Sequence, residues 1–226
     1  MTIIWKEIKD ENSLVLEEIF KFYDNAFPIE VREPHDIFYK SIQYGRQNNL
    51  NNFRCLVGFE GKTIVSFATG HYLANVNAGF IVYIVTNPHL KSRGLGSKTL
   101  KKMEELFIED AKLAGNTTLS EIYLETEKEE MLHTEQEKAD SLRRNAFFNR
   151  NGYLLCEDVT YYQPPLNGED QIIPLNLFVR NISPSEQGMD SVIKAIYQEK
   201  YLSVNQIDER LLNKCLVMMG IAGDLR

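Results

Sequence analysis

Residues 80–100 read FIVYIVTNPHLKSRGLGSKTL, and the fold turns on how this stretch is parsed. The longest apolar run of the chain, Ala78–Val85, reads as a buried strand, placed over Phe80–Thr86. Pro88 marks a turn, Gly94 and Gly96 follow, and a helix is predicted over Gly96–Ala114. That helix carries Leu100, Met103, Phe107 and Ala111 on one side, and Gly115 ends it. A strand, a glycine-bearing loop and a helix start together make an anion site. The first N–H groups of a helix have no partner within it, and the helix dipole favours negative charge there. Gly94 and Gly96 let a ligand approach the backbone where a Cβ would block it. Lys91, Arg93 and Lys98 add positive charge, and Ser97 adds a hydroxyl. The expected ligand carries phosphates. The alternative is a tight strand-to-helix turn that needs its glycines for geometry alone. Two common phosphate loops do not fit. GxxxxGK followed by Ser or Thr is absent, and GxGxxG fails because Thr99 stands at the third glycine.

Outward from this stretch, the chain alternates strands and helices. Residues 2–8 read as an edge strand. A helix with Leu16, Ile19, Phe20, Tyr23 and Phe27 on one face follows and stops at Pro28. Pro34 opens a second helix from His35 to Gln47. Phe53–Phe59 and Thr63–Leu73 are strands joined by the hairpin signal Glu60-Gly61-Lys62. Beyond Gly115 come a fifth strand, Glu121–Thr126, and a helix from about Ala139 to Asn151 closed by Gly152. Strands at Tyr153–Val159 and Asn176–Ile182 precede two helices. The first carries Met189, Val192, Ile193, Ile196, Tyr197 and Tyr201. The second is capped by Ser203 with Gln206 and carries Ile207, Leu211, Cys215 and Met219. The plan is mixed α/β, with helices covering a central sheet.

Composition narrows the function classes. The chain has 226 residues, 25 basic against 32 acidic, for a net charge of -7. An acidic chain is a poor binder of a phosphate backbone, so no nucleic-acid partner is expected. Cys55, Cys156 and Cys215 lie far apart, and the four histidines form no ligand pair, so no metal site is expected. No apolar run approaches the length of a membrane span, and the first residues lack the features of a signal peptide. The expected setting is cytoplasmic, with no membrane partner.

Three features together resemble the GNAT superfamily of N-acetyltransferases. Lys91-Ser92-Arg93-Gly94-Leu95-Gly96 is similar to that family's acetyl-CoA signature, Arg/Gln-x-x-Gly-x-Gly/Ala, with Pro88 upstream and Lys91 in the leading place. Ala146-Phe147-Phe148-Asn149-Arg150-Asn151-Gly152-Tyr153 is similar to its FYxxxGF segment. The element order also matches, over roughly residues 2–162. The resemblance implies a GNAT-like acyl-CoA N-acyltransferase fold: a mostly antiparallel sheet splayed between strands four and five, with helices on both faces. It also implies a domain over 1–162 and an extension over 163–226. Acetyl-CoA would be the cosubstrate, with no metal. Its pyrophosphate would sit on the amides from Lys91 through Ser92, Arg93, Gly94, Leu95 and Gly96 to Ser97. Its pantetheine arm would pair with Ile84, Val85 and Thr86, and a strand-four amide near Val85 would polarise the thioester carbonyl. Arg144 and Phe148 fall beside the second motif, where Arg144 could meet a phosphate or remain solvated.

This chain departs from the family where acid and base are concerned. The family's frequent tyrosine acid is Phe148 here, and its strand-four base positions are Phe80 and Val82. An alkyl amine of pKa about 10.4 must lose a proton before it attacks, whereas a thiol of pKa about 8.5 leaves readily. The candidate bases are Glu125 and Glu127, with Tyr83 a weaker one. Each can also be a packed or solvated side chain. Glu127–Asp140 holds six acids and two bases, a net of -4, and would attract a cationic amine if it is more than a solvated connection. In the loop after the first helix, Tyr23, Phe27 and Arg32 are candidates to line an acceptor pocket. The C-terminal helices could cover the domain, roof the cleft or form a homodimer surface. The expected activity is transfer of an acyl group to a primary amine of a small molecule or peptide by direct attack. The rival readings are a non-catalytic acyl-CoA-binding module and a different nucleotide-binding domain.

Overall fold

The computed structural model describes residues 2–27, 32–47, 50–90, 93–166 and 171–225. The chain divides into two compact units, Met1–Leu119 and Ser120–Arg226. The expected boundary at 162 lies inside the second.

In the first unit, β1 (Ile4–Glu7), β2 (Asn52–Glu60), β3 (Thr63–Leu73) and β4 (Ala78–Thr86) pair antiparallel in that order. Gly61, at φ +62°, turns the chain between β2 and β3. The alternation of β2 assigns its two faces. Phe53, Cys55, Val57 and Phe59 face a core built by α1 (Val15–Ala26) and α2 (His35–Gln47). Arg54 points the other way, to Asp110 of α3 (Leu95–Leu113). Helices therefore cover both faces of this sheet. Helix α3 approaches β3 and β4 closely because Gly70 and Gly79 have no side chains. A Cβ on Gly79 would lie 2.4 Å from the Phe107 ring of α3, and one on Gly70 would lie 2.7 Å from that ring's tip. Helix α1 ends at Ala26, where Phe27 turns extended ahead of a proline.

In the second unit, β8 (Ile173–Asn181) pairs along its length with β5 (Glu121–Glu127). Its other edge takes two short strands, β6 (Leu154–Leu155) and β7 (Tyr161–Gln163). All of these pairings are antiparallel. The strand expected over Tyr153–Val159 shrinks to two residues. Cys156 still donates its N–H to Leu177, but Val159 bonds back to Cys156 and the chain leaves the ladder.

Helix α4 (Glu135–Arg150) begins earlier than Ala139. Thr134 and Glu137 form a reciprocal capping box there. After α5 (Met189–Ile196) the chain widens into a π-helical segment, Tyr197–Val204. The expected Ser203–Gln206 cap does not form. Ser203 donates to the Gln198 carbonyl inside the π segment, and Gln206 takes φ +57°. Asp208 instead caps α6 (Glu209–Met218) by accepting from Arg210 and Leu211 N–H. Among the described residues no helix is long and apolar enough to cross a membrane.

Candidate active site

The turn after β4 is assembled from short-range constraints. Between Thr69 and Gly70 the β3–β4 register slips, so that Thr69 faces Tyr83 and Gly70 faces Ile81. Val82 is the extra residue of a bulge. Bulges bend a strand and re-aim the side chains beyond them, here Tyr83, Ile84, Val85 and Thr86. A single turn, Pro88–Leu90, follows. Lys91 and Ser92 lie outside the described residues. Gly94 then sits at φ +66° and caps α3, a conformation that favours glycine. No atom would lie within 4 Å of a Cβ at Gly94, so its requirement is conformational rather than one of space. The first ladder bond of α3 runs from Lys98 N–H to Gly94. The N–H groups of Leu95, Gly96 and Ser97 precede it, with Gly94 and Ser97 exposed at the surface.

Two buried hydroxyls that carry no motif signal hold this turn in place. Ser66 Oγ and Thr99 Oγ1 share a hydrogen bond of 2.5 Å. Thr99 donates its one proton to the Leu95 carbonyl at 2.8 Å, and Ser66 shares its own between Thr99 and the Val85 carbonyl, 3.3 Å away. The end of β4 and the start of α3 are thereby tied through one pair of side chains. Charge here is less free than the sequence suggests. Arg93 makes a two-pronged pair with Glu60 of the β2–β3 hairpin at 2.6 and 2.8 Å. Arg93 holds the Glu60 carboxyl below the usual carboxylate range. Lys98 reaches the Arg93 carbonyl at 3.3 Å.

Tyr83 is buried. Its ring meets Tyr23 and Phe27 edge-on at 4.8 and 5.0 Å and lies parallel to Phe38 at 5.9 Å. Its hydroxyl accepts from Glu33 N–H at 3.2 Å, as does that of Tyr23 at 2.7 Å. Burial first, and then the charge of Glu33, push the Tyr83 phenol well above 10. Tyr83 is thus part of the first unit's core, as Tyr23 is. Arg32 pairs with Asp24 at 2.9 Å.

The second unit contains the other candidates. Glu125, on β5, accepts from both Tyr161 and Tyr201 at one carboxylate oxygen, the latter at 2.8 Å, and from Gln163 at the other at 2.9 Å. Glu127, two residues on, pairs with Arg144 of α4 at 2.6 Å. Thr126 between them donates to Asn145 at 3.0 Å. Phe148 is buried among Phe147, Tyr153 and Phe178. The structure thus gathers Glu125, Glu127 and Arg144 around the end of β5, and Ile84, Val85, Thr86 and Arg93 through Ser97 around the end of β4. Sequence reasoning missed Tyr161, Gln163 and Tyr201, which come from β7 and the π segment. Among the described residues no group of three or more His, Cys, Asp or Glu side chains could hold a metal.

Comparisons with known proteins agree on the architecture. An acetyltransferase of the GNAT family from Bacteroides thetaiotaomicron superposes with a TM-score of 0.62 at 22% identity, covering 88% of this chain and 98% of its own. NAA60 of Arabidopsis thaliana, solved in complex with acetyl-CoA, gives 0.56 at 15% identity over 80% of this chain and 99% of its own. Spermidine N-acetyltransferase from Vibrio cholerae, a dodecamer, gives 0.52 at 10% identity over 79% and 93%. At these identities the likeness is one of fold. No curated protein matches. The profile of the Acetyltransferase (GNAT) family matches residues 16–133, just over half of the chain. This protein belongs to the GNAT acetyltransferase family.

Proposed function

We propose that the protein transfers an acetyl group from acetyl-CoA to a primary amine of a small molecule or peptide. The observation that carries this reading is the turn at Gly94. A glycine in the left-handed region starts α3 with its first N–H groups ahead of the helical ladder. Such a start suits a diphosphate without the help of a Cβ-bearing loop. Leu95, Gly96 and Ser97 would donate to it, with Arg93 contributing less because Glu60 already engages it. Ile84, Val85 and Thr86, beyond the bulge, would accompany the pantetheine arm. Acetyl-CoA supplies the activated acyl carbon.

The amine nitrogen would attack that carbon, the C–S bond would break, and the thiolate would leave. The proton lost by the ammonium needs an acceptor. Of the two acidic candidates on β5, Glu127 pairs with a guanidinium, which weakens a base, whereas Glu125 accepts from the neutral side chains of Tyr161, Tyr201 and Gln163. Tyr83 is buried with a raised pKa and is the poorest of the three. The acidic run after β5 would favour a cationic acceptor.

Calorimetry with CoA tests the first half of the proposal. One saturable site is expected, and it should be competed by acetyl-CoA but not by ATP or NAD. Thiol release with a panel of primary amines tests the second half. Tight CoA binding without turnover above the uncatalysed rate would favour a binding module, a reading consistent with Phe148 standing where a tyrosine acid is frequent.

A further inference from the structure

We propose that the C-terminal extension builds part of the acceptor site: Tyr201 of the π segment, with Tyr161 and Gln163 of β7, positions Glu125 as the carboxylate that receives the acceptor's proton. The inference rests on the proposed amine acetylation and extends it to residues outside the profile match, which ends at 133.

Glu125 lies on β5, 36 residues from Tyr161 and 76 from Tyr201. Both phenols donate to the same oxygen, Oε1, while Gln163 donates to Oε2 from the other side. Two directions of restraint fix both the position and the plane of the carboxylate. Tyr161 and Tyr201 are themselves packed in. Both are buried, and Tyr197 packs edge-on against each ring, at 6.3 and 5.3 Å. Tyr197 is anchored by donating to the Tyr162 carbonyl. The widened turn places Tyr197, Tyr201 and Val204 together on the buried side.

Glu125 itself is only half-buried. The side chain is therefore rigidly held at its flank yet partly open to solvent. A carboxylate serving only to pin the extension would not need to remain open. The three donors named above are neutral groups. Tyr161 and Tyr197 and Tyr201 are kept as O–H, their phenols pushed well up by burial first and by neighbouring charge second. Cys215 of α6 stands behind Tyr197 and is raised by burial. Hydrogen bonds donated to a carboxylate favour its charged form. Neutral donors do this without cancelling its charge, so the field that attracts an ammonium is retained. Two protons leave the acceptor nitrogen: Glu125 takes the first from the ammonium before attack and passes it to bulk water, and the second, shed by the nitrogen of the tetrahedral adduct as the C–S bond breaks, goes to the departing thiolate, which is released as the thiol.

The test compares wild type with Tyr201→Phe, Gln163→Met and Glu125→Gln in the full chain. Tyr201→Phe keeps the ring and its packing, and Gln163→Met removes a donor without touching the tyrosines. Two quantities are read. The first is the titration of the Glu125 carboxyl by carbon NMR, assigned with Glu125→Gln. The second is the acid limb of kcat/KM for a primary amine. Removing one donor should move both upward by about one pH unit. Glu125→Gln should lower kcat/KM for the amine about a hundredfold while CoA affinity stays within about twofold. A carboxyl titration that moves while the acid limb stays put would overturn the role of Glu125. A titration that does not move in either donor variant would overturn the role of the extension. Absence of CoA binding or of turnover in wild type would instead defeat the proposed function, and the NMR titration would still show whether the donors set this carboxyl.

Discussion

Each unit fixes a carboxylate with several hydrogen bonds, and the two do so by opposite means. In the first, Asp110 of α3 is 2% exposed and meets Arg54, 4% exposed, through bonds of 2.6 and 2.9 Å. Arg54 also reaches Glu7 at 2.6 Å, and Asn52 donates to Asp110 at 2.8 Å. The Arg54 guanidinium is held charged: burial opposes its charge, and the bonds from Asp110 and Glu7 outweigh burial. In the second unit, Glu125 is half-buried and satisfied by two phenols and an amide. An ion pair cancels its own field and locks β2 to α3. A carboxylate held by neutral donors keeps its field. The first arrangement suits folding, and the second suits recognition of a cation. If Glu125 serves as proposed, the kind of partner, more than depth of burial, separates a structural charge from a working one.

The largest effect should come from breaking the first arrangement. Asp110→Ala strands the Arg54 guanidinium in the protein interior, and removing one partner of a buried pair costs about 3–5 kcal/mol. Denaturant unfolding should show this as a fall in midpoint. The double change Arg54→Met with Asp110→Leu should recover most of it, because it leaves no buried charge unpaired. A loss below about 1 kcal/mol for Asp110→Ala would erase the contrast.

Glu125→Gln should cost much less stability, about 1 kcal/mol or under. The side-chain carbonyl can still accept from Tyr161 and Tyr201, and Gln163 can turn its own carbonyl toward the new amide. The same change is expected to impair amine acetylation strongly. Small loss of stability with large loss of turnover would sharpen the contrast. Large loss of both would place Glu125 with Asp110 as a structural charge.

What the sequence reveals follows the same divide. The first unit is read almost residue by residue, with α2 at His35–Gln47 and β3 at Thr63–Leu73 as expected. Its elements are stabilised by local patterns: alternation along β2, one apolar face on α1, glycine and proline at the turns. The second unit is less legible. Helix α4 buries only Ser141 and Phe148 fully, so its first turn shows no apolar period, although Thr134 followed by Glu137 was a usable signal. Nothing in Met189–Tyr201 announces the π segment, because its apolar spacing also satisfies an α-helix. The Arg93–Glu60 pair, the Ser66–Thr99 tie and the Glu125 cluster join residues 33 to 76 positions apart, and only the folded chain brings them together. The phosphate-loop reading was local and visible in the sequence. The partners that would tune the chemistry are remote.

The smallest expected effect concerns Cys156, which lies beside β6 and tests whether burial or charge governs this edge of the second unit. Its thiol is pushed up to about 11, chiefly by burial and secondarily by the negative charge of Glu121. Cys55 and Cys215 are buried, so the half-exposed Cys156 should be the one cysteine alkylated in the native protein. The thiolate is the reacting species. At pH 8 an ordinary thiol of pKa about 8.5 is roughly a quarter ionised, and one at 11 about a thousandth, so alkylation should be slower on the order of a hundredfold. The rate should climb as pH rises toward 11. The sign for stability is the reverse: an unfolded thiol ionises near 8.5 while the folded one stays protonated, so this site's contribution is full below about 8.5 and is lost as pH climbs toward 11. Glu121→Gln separates the two causes. If burial dominates, the substitution changes the alkylation rate only slightly, and a tenfold acceleration would show that charge, as at Asp110 and Arg54, also rules here.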